Sequence, residues 1–162
     1  MTGCFKGFEP FYDSDSVLLI LGSFPSVKSR REGFYYGNPQ NRFWRTLASY
    51  FGEAAPMTVE GKKEFLFSHK IALWDVVTAC QIDGSKDNSI RCEEIADLLG
   101  LLENSKIKTI FCNGGKSFEL LEREFPMLVE KTKKLPSTSP ANPSFSMEAW
   151  HQALDGVFHV NL

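Results

Sequence analysis

The sequence predicts an α/β protein in which helices cover both faces of a parallel sheet. Two observations favour this class. Four short apolar runs have the composition of buried strands, and segments with helical patterns separate them. Strands that alternate with helices in this way form parallel sheets, which are apolar on both faces. The predicted strands are residues 16–22, 71–77, 107–112 and 132–136.

The helices are predicted from apolar residues at helical spacing. In the third helix, Ile95, Leu98, Leu99 and Leu102 follow the i, i+3, i+4, i+7 pattern and predict one buried face. Residues 81–91 before it are polar and rich in turn formers, which predicts a long surface loop. The predicted helices are residues 41–51, 61–68, 92–103, 115–124 and 146–154.

Length and composition predict one globular domain over residues 1–162, with 43% hydrophobic residues and no shift that marks a boundary. The apolar runs are too short to span a membrane, and the N-terminus has no signal-peptide pattern, so a cytoplasmic protein is expected. The net charge of −2 neither supports nor excludes binding to nucleic acid, because a local basic patch could still serve.

The four cysteines have none of the spacings that are typical of metal sites. Cys4, Cys80, Cys92 and Cys112 include no CxxC pair and no familiar zinc pattern with histidine. Reduced thiols in or near the core are therefore expected, and no metal site is predicted.

Small and polar residues follow the first strand, at the edge of the sheet where such folds bind their ligands. Residues 22–26 spell GSFPS, and backbone amides or the Ser23 hydroxyl there could approach a phosphate or a base. The alternative is a tight turn between strand and helix.

Further on, Tyr36 and Asn38 combine a flat ring with a carboxamide, which suits a planar heterocycle, whereas Phe43 and Trp44 are expected in the core.

Two more strands end in polar residues. Asp75 lies within the apolar run of the second strand, and a buried carboxylate is costly unless it is paired or functional. Its alternative role is to cap nearby loop amides. Asn113 ends the third strand before two glycines, where it could contact a ligand or cap the following helix.

A rigid loop rich in hydroxyl groups follows the fourth strand. Residues 135–143 spell LPSTSPANP, and three hydroxyl side chains between prolines could bind a backbone phosphate with little loss of entropy. The alternative is an ordinary surface turn.

Taken together, GSFPS, YYGNPQNRFW, LWDVV, FCNGG and LPSTSPAN resemble the uracil-DNA glycosylase superfamily, in its hypoxanthine-DNA (deoxyinosine) glycosylase branch. The similarity extends from about residue 17 to residue 150. It implies a three-layer α/β/α sandwich with a central, mainly parallel sheet of four strands. It also implies a monofunctional enzyme that cleaves the base–sugar bond of a deaminated nucleotide in DNA and needs no cofactor.

The resemblance also implies roles for individual residues. Phe24 occupies the position where the superfamily usually has an Asp or Asn that orients the attacking water, and an apolar ring cannot do this. Asn38 is therefore the expected replacement, with Asn41 as the second choice. Tyr36 corresponds to the base-stacking aromatic residue, and Asp75 to the residue that contacts the base edge.

The remaining implied contacts complete the expected site. Phe24 and Asn113 are expected to contact the base, and the loop after the fourth strand resembles the second motif, although the usual His is missing. The residues expected to bind DNA phosphates are Ser23, Ser137, Ser139 and Asn142. The leading hypothesis is a monomeric deoxyinosine glycosylase; the alternatives are a uracil-preferring enzyme and a catalytically silent module that binds damaged DNA.

Overall fold

The computed structural model describes residues 2–24, 27–83 and 90–159. Its central sheet has four parallel strands in the order β3-β2-β6-β7, which confirms the predicted sheet. The strands are β1 (Thr2–Lys6), β2 (Leu18–Gly22), β3 (Ile71–Asp75), β4 (Val77–Asp83), β5 (Ile90–Ile95), β6 (Thr109–Asn113) and β7 (Thr132–Leu135). The helices are α1 (Val27–Glu32), α2 (Phe43–Phe51), α3 (Val59–His69), α4 (Leu98–Glu103), α5 (Gly115–Glu124) and α6 (Met147–Phe158), with a 3-10 helix at Pro126–Lys131.

Helices cover both faces of this sheet, and strand β2 shows why. Its side chains alternate, so that Leu18 and Ile20 enter one apolar core while Leu19 and Leu21 enter the other. The first core is closed by α2, α3 and α6, and the second by α4 and α5. The fold is therefore the three-layer α/β/α sandwich that the resemblance implied.

A second sheet, β1-β4-β5, is antiparallel and was not predicted. The predicted loop 81–91 is wrong where it is described, because residues 81–83 belong to β4 and residues 90–91 to β5; residues 84–89 lie outside the described part. The polar composition indicated a loop, but pairing with β1 provides backbone hydrogen bonds that composition does not reveal.

The same pairing shortens the predicted helix 92–103. Residues 92–95 extend β5, and α4 starts only at Leu98, where the Asp97 side chain accepts a hydrogen bond from the Gly100 amide. The inward face therefore changes: Leu98 and Leu101 are buried, whereas Leu99 is exposed. The prediction that Leu99 is a core residue is wrong.

The described residues bear on the predictions about membrane spans and cysteines. None of the helices within the described residues has the length and apolar character needed to cross a membrane. Cys112 is a buried free thiol, as predicted, and the side chains of the other three cysteines lie outside the described part.

Arg42, just before α2, fixes the loop that follows β7, which we call the Ser/Pro loop (residues 136–143). Its guanidinium donates to the backbone oxygens of Ser139 (2.6 Å) and Asn142 (2.8 Å). Its own amide donates to the Thr138 oxygen at 3.0 Å. The loop is also held from α6, because the Trp150 indole donates to the Pro136 oxygen at 2.8 Å. Because these hydrogen bonds hold the loop from two helices, its polar side chains can keep a fixed arrangement.

Replacing Arg42 should loosen this loop more than the rest of the fold. Arg42→Ala removes two charge-assisted hydrogen bonds, so we expect a loss of about 1–3 kcal/mol in unfolding free energy. Amide hydrogen exchange at residues 137–142 should also be faster. The control is Arg45→Ala, at an exposed position of α2, which should change stability by less than about 0.5 kcal/mol. Unchanged exchange in the loop of Arg42→Ala would contradict the tether.

Candidate functional site

A cavity of about 400 Å³ lies at the carboxyl ends of the central strands. Its size is within the range that proteins use for small-molecule ligands. Strand ends supply much of its lining: Gly22 ends β2, Asp75 ends β3, and Asn113 ends β6. Nine of the ten predicted site residues line it, namely Ser23, Phe24, Tyr36, Asn38, Asn41, Asp75, Asn113, Ser137 and Ser139.

Gly22 and Asp75 determine the geometry of the bottom of the cavity. They are register partners on the parallel strands β2 and β3, so they end side by side. A Cβ atom at position 22 would clash with Oδ1 of Asp75, because the two atoms would be much closer than non-bonded atoms approach. Only glycine therefore leaves room for the Asp75 carboxyl group over this strand end.

The Asp75 carboxyl group is buried, and one of its two oxygens has no hydrogen-bond partner among the described residues. The residue is 5% exposed, and its Oδ2 atom has no hydrogen-bond partner in the described part of the chain. Because burial disfavours the charged form, the pKa of Asp75 is raised from its ordinary value of 3.8 to about 7. Such a group is costly to the fold, which makes it a candidate for a functional role.

Tyr36 places a second buried oxygen beside Asp75. Its hydroxyl group is buried and makes no hydrogen bond of good geometry among the described residues, although it interacts with the Asn113 side chain. The same added Cβ at Gly22 would lie 3.4 Å from this hydroxyl, so the hydroxyl and Oδ1 of Asp75 both lie beside Gly22. Burial, and next the charge of Asp75, raise the pKa of Tyr36 far above its usual range, so the hydroxyl keeps its proton.

Tyr36 has a strained backbone conformation, and its ring is held in place by a neighbour. Its backbone φ of +53° is uncommon for a residue with a bulky side chain. On one side the ring stacks on Phe43, with centroids 4.0 Å apart and planes 18° apart. The next residue is fixed as well, since the Gly37 amide donates to the Ser29 hydroxyl at 3.2 Å. This support fixes the position of Tyr36, which also lines the cavity.

Asn38 and Asn41 lie on the same wall of the cavity, and both are half-buried. Oδ1 of Asn38 accepts a hydrogen bond from the Gln40 amide at 3.0 Å. Oδ1 of Asn41 accepts one from the Phe43 amide at 2.9 Å, at the start of α2. Because a carboxamide oxygen has two lone pairs, each oxygen keeps one for a ligand or a water molecule.

The opposite wall is the Ser/Pro loop, which Asn113 joins to the sheet. Nδ2 of Asn113 donates to the Thr138 hydroxyl, and Oδ1 of Asn113 accepts from the Thr138 amide, both at 3.0 Å. Within the loop, the hydroxyl oxygens of Ser137 and Ser139 accept from the amides of Ser139 and Ala141. Because each hydroxyl acts as the acceptor here, its proton stays available for an anion.

Asn142 is the predicted residue that the structure does not bring into the cavity lining. Its Nδ2 donates to the Ser137 oxygen at 2.9 Å, and its Oδ1 accepts from the Ser144 amide at 3.0 Å. Both ends of the carboxamide thus serve the loop itself. Phe24 has a mixed position, because its ring is partly buried against the second core and also lines the cavity.

Sequence reasoning missed two features of the site. Arg42 appeared only as part of a motif, yet it anchors the Ser/Pro loop. Thr138 is almost fully buried, where Asn113 holds it. A hydroxyl residue between two others gives no signal of its own.

Among the described residues, no group of three or more His, Cys, Asp or Glu side chains is arranged to bind a metal ion.

The buried carboxyl group predicts an unusual dependence of stability on pH. The pKa of Asp75 is higher in the fold than in the unfolded chain, so the fold favours the protonated form. Stability of the wild type should therefore decrease as the pH rises from about 4 to about 7. Asp75→Asn keeps the shape without the charge and should melt at a higher temperature than wild type above pH 7.

The difference in Tm between Asp75→Asn and wild type should grow across this pH window, by about 2–4 °C per kcal/mol for a chain of this size. Differential scanning calorimetry from pH 4 to pH 8 measures it. Asp15→Asn, at an exposed carboxylate paired with Lys106, is the control and should show no such growth. A difference that stays constant across the window would contradict a raised pKa.

Comparisons with known proteins agree with this architecture. A protein of Methanosarcina acetivorans named hypoxanthine DNA glycosylase is 43% identical over 143 residues, covering 87% of this chain and 90% of that protein. A protein of Methanosarcina barkeri with the same name is 39% identical over 139 residues, covering 85% and 87%. The solution NMR structure of a candidate uracil DNA glycosylase from Methanosarcina acetivorans superposes with a TM-score of 0.81 at 38% identity, covering 96% of this chain and 99% of that chain.

The family comparison covers nearly the whole chain. Residues 9–154 match the model of the uracil DNA glycosylase superfamily. This span includes the four strands of the central sheet and each predicted site residue. The chain belongs to the uracil DNA glycosylase superfamily.

Proposed function

We infer that the protein is a DNA glycosylase that removes deaminated bases from DNA, with hypoxanthine as its principal substrate. Membership of the superfamily and the relatives named hypoxanthine DNA glycosylase support this activity. The observation that carries the proposal is the cavity itself, in which the carboxamide of Asn38 shares one space with Tyr36 and Asp75. A carboxamide with a free lone pair, an aromatic ring and a carboxyl group are groups that can orient a water molecule, stack on a base and contact its edge.

In the proposed mechanism, the damaged nucleotide leaves the DNA duplex and its base enters the cavity. A base inside a duplex is stacked and cannot be reached, so enzymes of this kind rotate it outwards. The face of the Tyr36 ring opposite Phe43 stacks on the base, and the Phe24 ring contacts the base from the wall of the cavity. Asn113 acts here through the loop, because its carboxamide bonds with Thr138.

Hydrolysis then needs a water molecule directed at the sugar. The Asn38 oxygen, held by the Gln40 amide, accepts a hydrogen bond from this water and orients the water oxygen towards C1′. The N-glycosidic electron pair leaves with the base, the sugar passes through an oxocarbenium-like state, and the proton released by the water ends on the base. Asn41 has the same free lone pair but also supports the first turn of α2, so it remains the second choice.

The serine hydroxyls hold the DNA backbone in this proposal. Ser137 and Ser139 have protons free to donate to phosphate oxygens, and Ser23 lines the same cavity. The contribution of Asn142 is indirect, because its carboxamide holds the loop in place. Contacts of this kind position the DNA without distinguishing its sequence. A cytoplasmic location and a monomeric state stay predictions.

Base release is the direct test of this function. A duplex with one deoxyinosine is incubated with the protein, and alkali then cleaves the strand at any abasic site. We expect cleavage at deoxyinosine, and slower cleavage at deoxyuridine. The reverse order would favour the uracil-preferring alternative. Binding to damaged duplex without release of hypoxanthine, uracil or xanthine would instead identify a catalytically silent module, the alternative suggested by Phe24.

Asn38 is the residue whose loss should affect the reaction most. Asn38→Ala removes the water-orienting oxygen, so we expect the single-turnover rate on deoxyinosine to fall about 10²–10⁴-fold while DNA affinity changes little. Gln40→Ala is the matched control, because it removes an exposed carboxamide two residues away and keeps the backbone amide that contacts Asn38. An unchanged rate in Asn38→Ala would transfer the role to Asn41.

A further inference from the structure

We propose that Arg42 is a positioning residue for base release, because it joins the two walls of the cavity into one unit. One wall is the turn that carries Asn38, and the other is the Ser/Pro loop. With the two walls joined, a DNA phosphate held by the loop has a fixed distance to the Asn38 carboxamide. The inference rests on the proposed function and adds the residue that aligns its two parts.

Arg42 contacts the Ser/Pro loop with both its backbone and its side chain. Its amide donates to the Thr138 oxygen at 3.0 Å, and its guanidinium donates to the oxygens of Ser139 and Asn142 at 2.6 and 2.8 Å. All three acceptors are backbone carbonyl groups, so these bonds fix the course of the loop without using its serine hydroxyls. A planar guanidinium that donates to two carbonyl groups also fixes the distance between them.

The Arg42 side chain is itself held in place. Its guanidinium carbon lies 4.5 Å from the centroid of the Phe145 ring, a contact that stabilises a cation on an aromatic face. The residue is half-buried, so its hydrogen bonds are partly shielded from water and are stronger than those of an exposed arginine. The link between the walls therefore has a defined geometry.

The other end of the link is the turn before α2. The Asn41 amide donates to the Asn38 oxygen at 2.9 Å, and each of the two carboxamide oxygens accepts from the amide two residues further on. Arg42 follows directly, and its own oxygen accepts from the amide and the hydroxyl of Thr46 in α2. A turn closed by so many local bonds moves as a piece, so a shift of Arg42 also shifts Asn38.

Such a link matters because the reaction needs two alignments at once. In the proposed function the loop serines hold the DNA backbone, whereas Asn38 directs water at the sugar of the same nucleotide. A misplacement of about 1 Å between such groups can cost about 10²-fold in rate. Without the guanidinium, Asn113 would still hold Thr138 to the sheet, but the distance between loop and turn would vary. Arg42 should therefore affect the rate through Asn38.

The test is a double-mutant cycle in the single-turnover rate on a deoxyinosine duplex at saturating enzyme. Arg42→Ala should slow base release about 10–100-fold. Arg42→Lys should slow it less, because an ammonium group keeps the charge but lacks the planar pair of donors. In an Asn38→Ala background, Arg42→Ala should lower the rate by less than about threefold, since the carboxamide that it positions is gone. Arg45→Ala, at an exposed position of α2, is the matched control and should keep the wild-type rate.

The outcomes separate this inference from the proposed function. A wild-type rate in Arg42→Ala would overturn the inference. An equal fold loss in the wild-type and Asn38→Ala backgrounds would overturn it too, because a purely structural role gives that result. Should Arg42→Ala fail to fold, the same cycle with Arg42→Lys decides. These results leave base release by wild type intact; its absence from deoxyinosine, deoxyuridine and deoxyxanthosine would instead remove the proposed function, and the inference with it.

Discussion

The burial of one carboxyl group at the end of a parallel strand is the constraint on which the site depends. Asp75 lies beside Gly22 because β2 and β3 pair in register, and the missing side chain of the glycine makes the space. The carboxyl group gains no hydrogen bond to Oδ2 within the described chain in return for its lost hydration. The neighbouring strand β2 is buried along its whole length, and the apolar packing there offsets part of this cost. Proteins commonly keep such locally unfavourable groups where a ligand needs them.

The walls around this carboxyl group are rigid for different reasons. On one side, a strained Tyr36 stacks on Phe43 and so connects the cavity to the first apolar core. On the other side, Arg42 and Asn113 hold the Ser/Pro loop through its backbone. These supports come from a helix start and a strand end, so the loop has little freedom to adjust. A site built in this way loses little entropy when it binds a ligand.

Much of the fold and the site could be predicted from sequence because local patterns carried the information. The apolar runs of the central strands are long enough to be recognised, and the polar residues that end them converge by the general rule for parallel sheets. The antiparallel pairing of β4 and β5 could not be predicted, because the polar residues of these strands resemble a loop and β4 also pairs with β1. Likewise, the sequence places Gly22 and Asp75 at two strand ends, but their close approach depends on register. The Asn142 carboxamide bonds within its own loop rather than facing the cavity. This depends on loop geometry, which composition does not encode.

The ionisation of Asp75 is the property that the account most depends on, and carbon-13 NMR of the labelled side-chain carboxyl group measures it directly. Titration of the free protein should give a pKa of about 7, because burial disfavours the charged form. Addition of hypoxanthine should lower that value, since a ring N–H that donates to the carboxylate favours the charged form. A pKa near the ordinary value of 3.8 in the free protein, or no change with hypoxanthine bound, would contradict the account.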